Sequence, residues 1–313
     1  MSEIQLLGAD VAGDAPPRSA PASRSMRPMR VLRDLVTLTK PRITLIVLVT
    51  AAGGMKLAPG VATGATWLWA MLGTALVVGS ANALNMWLER DVDALMDRTK
   101  NRPLPRGTIS ANLALAFGIA LAIVSLPMLS LGVNSVTGVL GAIALVSYVL
   151  VYTPLKRRSI RALWVGAVPG AIPPLLGWTA ITGRIDRAGV ALFALLFLWQ
   201  IPHFLAISIF RAEDYARAGL KVVPGELGDR ETDGMMFRYA VALVLVSLWP
   251  LFEGIGGKLY LAVALVLGVA FVVMTVLEAR RADRGKWARR VFAYSILYLV
   301  AIFGTLVAQG RVV

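Results

Sequence analysis

Asn85-Met86-Trp87-Leu88-Glu89-Arg90-Asp91-Val92-Asp93-Ala94-Leu95-Met96-Asp97-Arg98-Thr99-Lys100-Asn101-Arg102-Pro103-Leu104-Pro105-Arg106-Gly107 lies between two long apolar runs. Asn85, Glu89, Asp93 and Asp97 recur at every fourth position, so on a helix they form one polar stripe about three turns long. Asp91 falls half a turn off that stripe, where Arg90 or Lys100 is its natural partner. Hard oxygen donors in such an array suit Mg²⁺, and Mg²⁺ at a protein surface usually shares its shell with phosphate oxygens. Arg98, Lys100 and Arg102, which follow at once, are placed to hold the same phosphates. The plainer alternative is a solvated loop in which acids and bases pair. Asn85 argues against it, because an amide set deep in an apolar segment is costly without a partner.

The rest of the chain explains why that stripe sits at a membrane surface. Of 313 residues, 57% are hydrophobic, only 16% are charged, and the mean hydropathy is +0.70. Several apolar runs approach the roughly 20 residues a bilayer-crossing helix needs. Nine spans are expected near residues 41–58, 66–88, 109–130, 134–153, 161–182, 188–210, 235–253, 258–278 and 289–309. The reading is all-α: a polytopic membrane protein of about nine transmembrane helices around a central cavity. No alternation of period two supports a membrane β-barrel.

The net charge of +14 does not point to nucleic acid, because the cations cluster at the ends of apolar runs. Twenty-seven of the 32 Lys and Arg fall on one side of the nine-span layout and five on the other. That asymmetry places the amino terminus and both acidic loops on the cytoplasmic side of a cell membrane, and an odd span number puts the carboxyl terminus outside. Residues 1–35, with four prolines and five arginines, read as a disordered basic tail without the apolar core of a secretory signal. Residues 36–313 read as a single membrane domain. Without cysteine, disulfide and thiolate chemistry are excluded.

A second acidic segment, residues 211–234, is expected as a loop on the same side as the first, suggesting one acidic site per half of the chain. Glu213 and Asp214 are its candidate metal ligands, with Arg211, Arg217 and Lys221 nearby for an anion. His203, the only histidine, lies beside Pro202, roughly two turns above the acidic end. Its roles stay open: haem contact, proton transfer or packing. Tyr148, Tyr152, Thr153 and the cations Lys156, Arg157 and Arg158 close the fourth span, and Lys156 is long enough to turn inward. Gly166, Gly170, Pro173, Pro174 and Gly177 permit close packing or a kink in the fifth.

These patterns carry a resemblance. Asn85-x₃-Glu89-x₃-Asp93, followed by Arg98-Thr99-x₂-Arg102-Pro103-Leu104, resembles the first acidic motif of the UbiA-type intramembrane prenyltransferases. Tyr152-Thr153-x₂-Lys156-Arg157, Pro173-Pro174-x₂-Gly177-Trp178, Trp199-Gln200-x-Pro202-His203-Phe204 and Asp214-Tyr215-x₃-Gly219 are similar to the protohaem IX farnesyltransferase branch. The likeness runs from about Thr39 to the last span. It departs at the short second acidic motif, at residues 161–164 and at residues 220–224.

The resemblance implies transfer of a farnesyl group from farnesyl diphosphate to haem b, giving haem O for haem–copper oxidases. It implies Mg²⁺ held by Asn85, Glu89, Asp93, Asp97, Glu213 and Asp214. Diphosphate would be held by Arg98, Arg102, Lys156 and Lys221, and His203 would be a haem contact. A downstream haem-modifying oxidase is the implied partner protein. Two other readings compete. A quinone-precursor prenyltransferase of the same fold is disfavoured by His203 and the weak second motif. A transporter would carry carboxylates in mid-span, whereas these crowd one membrane face.

Overall fold

The computed structural model describes residues 28–277 and 283–310. Among them there is no strand, and eight helices are long and apolar enough to cross a membrane, or nine if one bent pair counts as a span. In chain order they are α1 (Pro28–Leu38), α2 (Pro41–Leu57), α3 (Gly64–Asp93), α4 (Ala111–Gly132), α5 (Ser135–Leu155), α6 (Ala162–Thr182), α7 (Arg187–Phe210), α8 (Ala212–Arg217), α9 (Val223–Phe252), α10 (Lys258–Leu277) and α11 (Arg284–Gln309). The expected nine-span, all-α architecture is therefore present.

Local chemistry fixes the boundaries. Thr63, Ser110, Asn134, Asp186 and Asp283 each accept a backbone N–H of the first turn they precede, satisfying donors a helix start otherwise leaves open. Gly183, at φ 64°, ends α6 in the left-handed conformation that glycine alone adopts cheaply. Elsewhere glycine permits backbone contact. A Cβ at Gly54 would overlap the Pro174 carbonyl, and one at Gly177 would overlap that of Ala51, so α2 and α6 pack backbone to backbone. α3 lies against α4, α2 and α5, while α7 lies against α6, α9 and α11.

Three expectations change. The tail reading covered 1–35, but helix α1 occupies its last part because Val31, Leu35 and Leu38 share one face, of which Leu35 and Leu38 pack beside α3 and α4. Residues 1–27 of that tail lie outside the described residues. The segment 211–234 is largely helical rather than a loop. α8 fills its start, and α9 begins at Val223, not 235, with Pro224 in its first turn and a kink at Gly228 (φ 77°). Its dense charges masked that helix, since a solvated helix end carries no apolar period. Finally, Ser147–Tyr152 within α5 winds as a π-helix. Such wider turns recur at functional sites, and no residue pattern announces them.

Candidate active site

α3 runs unbroken through Asp93, and so delivers Asn85, Glu89 and Asp93 to its inner face, all buried, with Asp93 only 1% exposed. Each is met by a group from a distant part of the chain. Asn85 Nδ2 donates to Thr153 Oγ1 at 3.0 Å, and Asn85 Oδ1 accepts from Lys40 Nζ at 3.4 Å. Glu89 is paired with Lys156. Asp93 Oδ2 accepts from the Arg102 guanidinium at 2.6 Å. Its other oxygen, Oδ1, is buried without a hydrogen-bond partner among the described residues. An orphaned carboxylate oxygen in such surroundings costs several kcal/mol by order of magnitude unless a ligand completes it.

The loop after α3 turns back because Thr99 Oγ1 donates to the Asp93 carbonyl at 2.8 Å. That turn carries Arg102 under Asp93. Met96 and Val92 pack against Ala218 and Leu220, and the Lys221 N–H donates to the Lys156 carbonyl at 3.0 Å. The two acidic segments thus share one floor with the α5–α6 turn.

Lys156 follows the last residue of α5, and its ammonium lies 5.4 Å from the Tyr152 ring centroid. Burial, then the charges of Lys40 and Arg157, lower its pKa to about 7, while its contact with Glu89 opposes that fall. Burial likewise raises the Tyr215 phenol.

The remaining expected residues are placed differently. α3 ends at Asp93, so Asp97 leaves the stripe and lies exposed, hydrogen-bonded to Lys100 at 2.6 Å and Arg217 at 2.7 Å. Those cations hold its carboxyl below the usual range. Asp91 pairs with Arg90 at 3.8 Å. Asp214 is buried but bound by Arg217, with Arg211 at 3.6 Å. Glu213 is exposed and forms no ion pair among the described residues. Lys221 directs its ammonium to Glu226 at 2.7 Å. Arg98 is exposed, and its charge is felt at Tyr215. His203 sits on α7 with Nδ1 2.7 Å from Ser295 Oγ of α11, on neither acidic segment.

Sequence reasoning missed Lys40. It is the one non-glycine residue of positive φ among the described residues (49°), at the break between α1 and α2. That conformation costs roughly 1 kcal/mol, and Pro41 makes it less favourable still. The Thr39 carbonyl, which accepts from Asn82 at 3.2 Å, helps hold it. The only available signal was a cation directly before a span, which ordinarily marks topology alone.

Among the described residues, no three His, Asp or Glu side chains converge to hold a metal by themselves. The donor set is two carboxylates and an amide, with one carboxylate oxygen free. This suits an ion that takes the rest of its shell from a bound phosphate, and would not suit an all-protein cage. A separate cavity of about 470 Å³, lined by Pro59, Trp178, Arg184, Asp186, Arg187 and Glu253, contains none of these residues.

The sequence profile of the UbiA prenyltransferase family matches residues 47–297. The chain belongs to that family. It is 51% identical over 276 residues to the protoheme IX farnesyltransferase of Myxococcus xanthus, covering 88% of this chain and 94% of that one. With the protoheme IX farnesyltransferase of Sorangium cellulosum it shares 56% identity over 237 residues, covering 76% and 85%. Among solved structures, a digeranylgeranylglyceryl phosphate synthase shares the fold at TM-score 0.77 and 18% identity, covering 89% of this chain and 98% of that one. A UbiA homologue from Archaeoglobus fulgidus bound to GPP and Mg²⁺ does so at TM-score 0.63 and 19% identity, covering 87% and 99%.

Proposed function

We propose that this chain transfers the farnesyl group of farnesyl diphosphate to a vinyl group of haem b, giving haem O and diphosphate. The observation that carries the reading is the α3 face: three buried oxygen-bearing side chains, one carboxylate oxygen unpartnered, ringed by Lys40, Arg102 and Lys156. Relatives named protoheme IX farnesyltransferase, about half identical over most of the chain, support haem as the acceptor.

Asn85, Glu89 and Asp93 would hold Mg²⁺ together with diphosphate oxygens. When bound, the ion neutralises the leaving diphosphate. Of the six ligands expected from sequence, Asp97, Glu213 and Asp214 are exposed or already bound to arginine, so the set narrows to the α3 three. The same distinction applies to the cations. Lys156 and Arg102 face inward and hold phosphate oxygens in exchange for their present carboxylate partners. Arg98 adds long-range attraction at the rim, and Lys221 acts through its backbone link to Lys156. Tyr148 and Tyr152, with rings 5.3 Å apart on the π-helical turn, present an apolar wall that keeps water from the allylic cation. The carbon–oxygen bond of the donor breaks with its electron pair leaving on diphosphate. The vinyl π electrons form the new carbon–carbon bond, and water adds to the resulting cation, its proton passing to the released diphosphate.

We place the chain in a cell membrane, with the cation-rich face and the amino terminus cytoplasmic and the carboxyl terminus outside. A haem-modifying oxidase is the expected consumer of the product. The test is extraction of haem from membranes expressing wild type or Asp93→Ala, separated by chromatography with mass detection. A haem heavier by one hydroxyfarnesyl group, present with wild type alone, supports the proposal. Unmodified haem beside newly prenylated quinone precursors would sink the acceptor assignment.

A further inference from the structure

The break between α1 and α2 stands between two different environments. Lys40, in its left-handed conformation, donates to Asn85 Oδ1 on the acidic face of α3, 3.4 Å away. Its neighbours Thr39 and Pro41 instead line a groove of about 340 Å³ between α2 and α3. Leu45 and Leu48 of α2 and Ala75 and Leu76 of α3 form the walls. Leu45 is 62% exposed, so the groove opens toward the bilayer. A Cβ at Gly79 would lie 3.3 Å from the Thr39 methyl carbon, so this elbow of the chain rests directly on α3.

α1 meets α2 at a 45° bend and divides its own surface three ways. Leu35 and Leu38 pack beside α3 and α4. Met29, Leu32 and Val36, spaced three and four apart, share a second face and are all exposed. Arg30 and Arg33 occupy the third, and Arg42 follows just beyond the elbow. These three arginines are exposed and form no ion pair among the described residues, and half-buried Asp34 is the single acid of α1. Bare apolar side chains beside unpaired arginines suit a helix lying in an anionic leaflet. The groove adds room for a chain.

We infer that the elbow binds an anionic glycerophospholipid, with one acyl chain in the α2–α3 groove and its phosphate among Arg30, Arg33 and Arg42. Farnesyl diphosphate is the other amphiphile to consider. The oxygens and cations that suit a diphosphate, however, lie across the elbow, on the side to which Lys40 turns. The Lys40 N–H donates to the Thr37 carbonyl at 3.2 Å, and the Thr39 carbonyl accepts from Asn82 of α3 at 3.2 Å. A chain seated under Thr39 and Pro41 thus steadies Lys40 against Asn85. Lipid binding is independent of the farnesyl-transfer reading, and only its effect on the site rests on it.

The test begins with native mass spectrometry of the purified full chain, offered dioleoyl phosphatidylglycerol or dioleoyl phosphatidylcholine. Wild type should retain one phosphatidylglycerol and prefer it by about tenfold or more. Ala75→Leu, which fills the groove, should lose that lipid, whereas Leu48→Ala, which widens it, should keep it. Arg33→Gln should cut the preference about fivefold. The triple variant Arg30→Gln, Arg33→Gln, Arg42→Gln should abolish it while still taking phosphatidylcholine. In nanodiscs, replacing about a third of the phosphatidylcholine by phosphatidylglycerol should tighten farnesyl diphosphate binding by about fivefold. Surface charge alone acts in the opposite direction, because an anionic leaflet repels a diphosphate. Lys40→Met should retain the lipid and lose this difference.

Ala75→Leu that retains phosphatidylglycerol as wild type does overturns the groove. Equal retention of the two lipids by wild type overturns the headgroup assignment. Ala75→Leu that weakens farnesyl diphosphate binding equally in both nanodiscs gives the groove to the donor's chain and overturns the lipid. Expected lipid retention with equal farnesyl diphosphate binding in both nanodiscs overturns the coupling through Lys40 alone. If wild type binds no farnesyl diphosphate in either, the farnesyl-transfer reading fails, while the lipid assignment still stands on its mass spectrum.

Discussion

The end of α3 and the end of α7 look alike in sequence: an apolar run, then carboxylates, then cations. The structure treats them in opposite ways. α3 stays helical through Asp93, so its fourfold spacing keeps three polar side chains turned inward, where Lys40, Arg102 and Lys156 come from elsewhere to meet them. α7 stops at Phe210, and Arg211 leaves helical geometry (φ −116°, ψ 16°). Glu213 and Asp214 therefore restart on a short separate helix, one exposed and the other held by arginines. Continuity of the helix, more than the number of acids, decides which end keeps its polar side chains turned inward.

Several substitutions would break or sharpen that contrast. Asp93→Ala removes the carboxylate whose buried Oδ1 has neither a hydrogen bond nor an ion pair among the described residues, whereas the Glu89 carboxylate is paired with Lys156. Turnover, read as diphosphate release, should fall on the order of a hundred- to a thousandfold, with the protein eluting as a folded species. Near-normal turnover would remove α3 from the chemistry. The same change at the other end, Glu213→Ala, should leave turnover within about twofold, since an exposed unpaired side chain contributes little.

Lys156→Met strands Glu89 in a buried position. It should lower unfolding free energy by about 3 kcal/mol in a thermal or denaturant assay. Adding Glu89→Gln to it should restore much of that loss without restoring turnover. A double variant no more stable than Lys156→Met would mean that the pair is not the buried contact described.

Lys156 also sets a pH dependence. Its folded pKa of about 7 lies below its unfolded value, so it loses its charge as pH rises through 7. Farnesyl diphosphate affinity, measured calorimetrically, should weaken between about pH 6 and 8, and Lys156→Arg should flatten the profile. Stability moves the other way. The unfolded chain holds this proton more tightly above pH 7, so rising pH relieves the cost of burying the ammonium. An unchanged profile in Lys156→Arg would assign the dependence to the ligand.

The smallest effect belongs to the exposed link between the two ends. Asp97→Asn removes the carboxylate that pairs with Lys100 and Arg217. Thermal stability should barely change, because exposed pairs contribute little. A large loss would show that the Asp97–Arg217–Asp214 chain clamps the floor of the site.

Much of the fold was legible because lipid is an unforgiving solvent. Every spanning segment must be long, apolar and helical, so nine spans could be read from composition and length. α1 and the first turns of α9 were not read from the sequence. α1 is short, and its apolar face gains meaning only by packing beside α3 and α4, while the charges at the start of α9 hide any apolar period before its glycine kink. Within the candidate site, the shared face of Asn85, Glu89 and Asp93 was readable from spacing, and Lys156 was noticed from its place at a span end. Lys40 was not, because nothing local distinguishes a cation that turns inward from one that marks the membrane surface. The placement of the Asp97 and Lys221 side chains was not readable for the same reason: their nearest partners, Arg217 and Glu226, depend on how α8 and the turn after it fold.

The sequence by itself determined that this is a membrane-spanning helical bundle with one acid- and cation-rich face. Hydropathy and helical period act over a few residues and need no knowledge of neighbours. Only the tertiary structure decided which carboxylates remain available. The pairing of buried charges depends on residues dozens of positions apart, and desolvation makes each such pairing matter far more inside the bundle than at its rim.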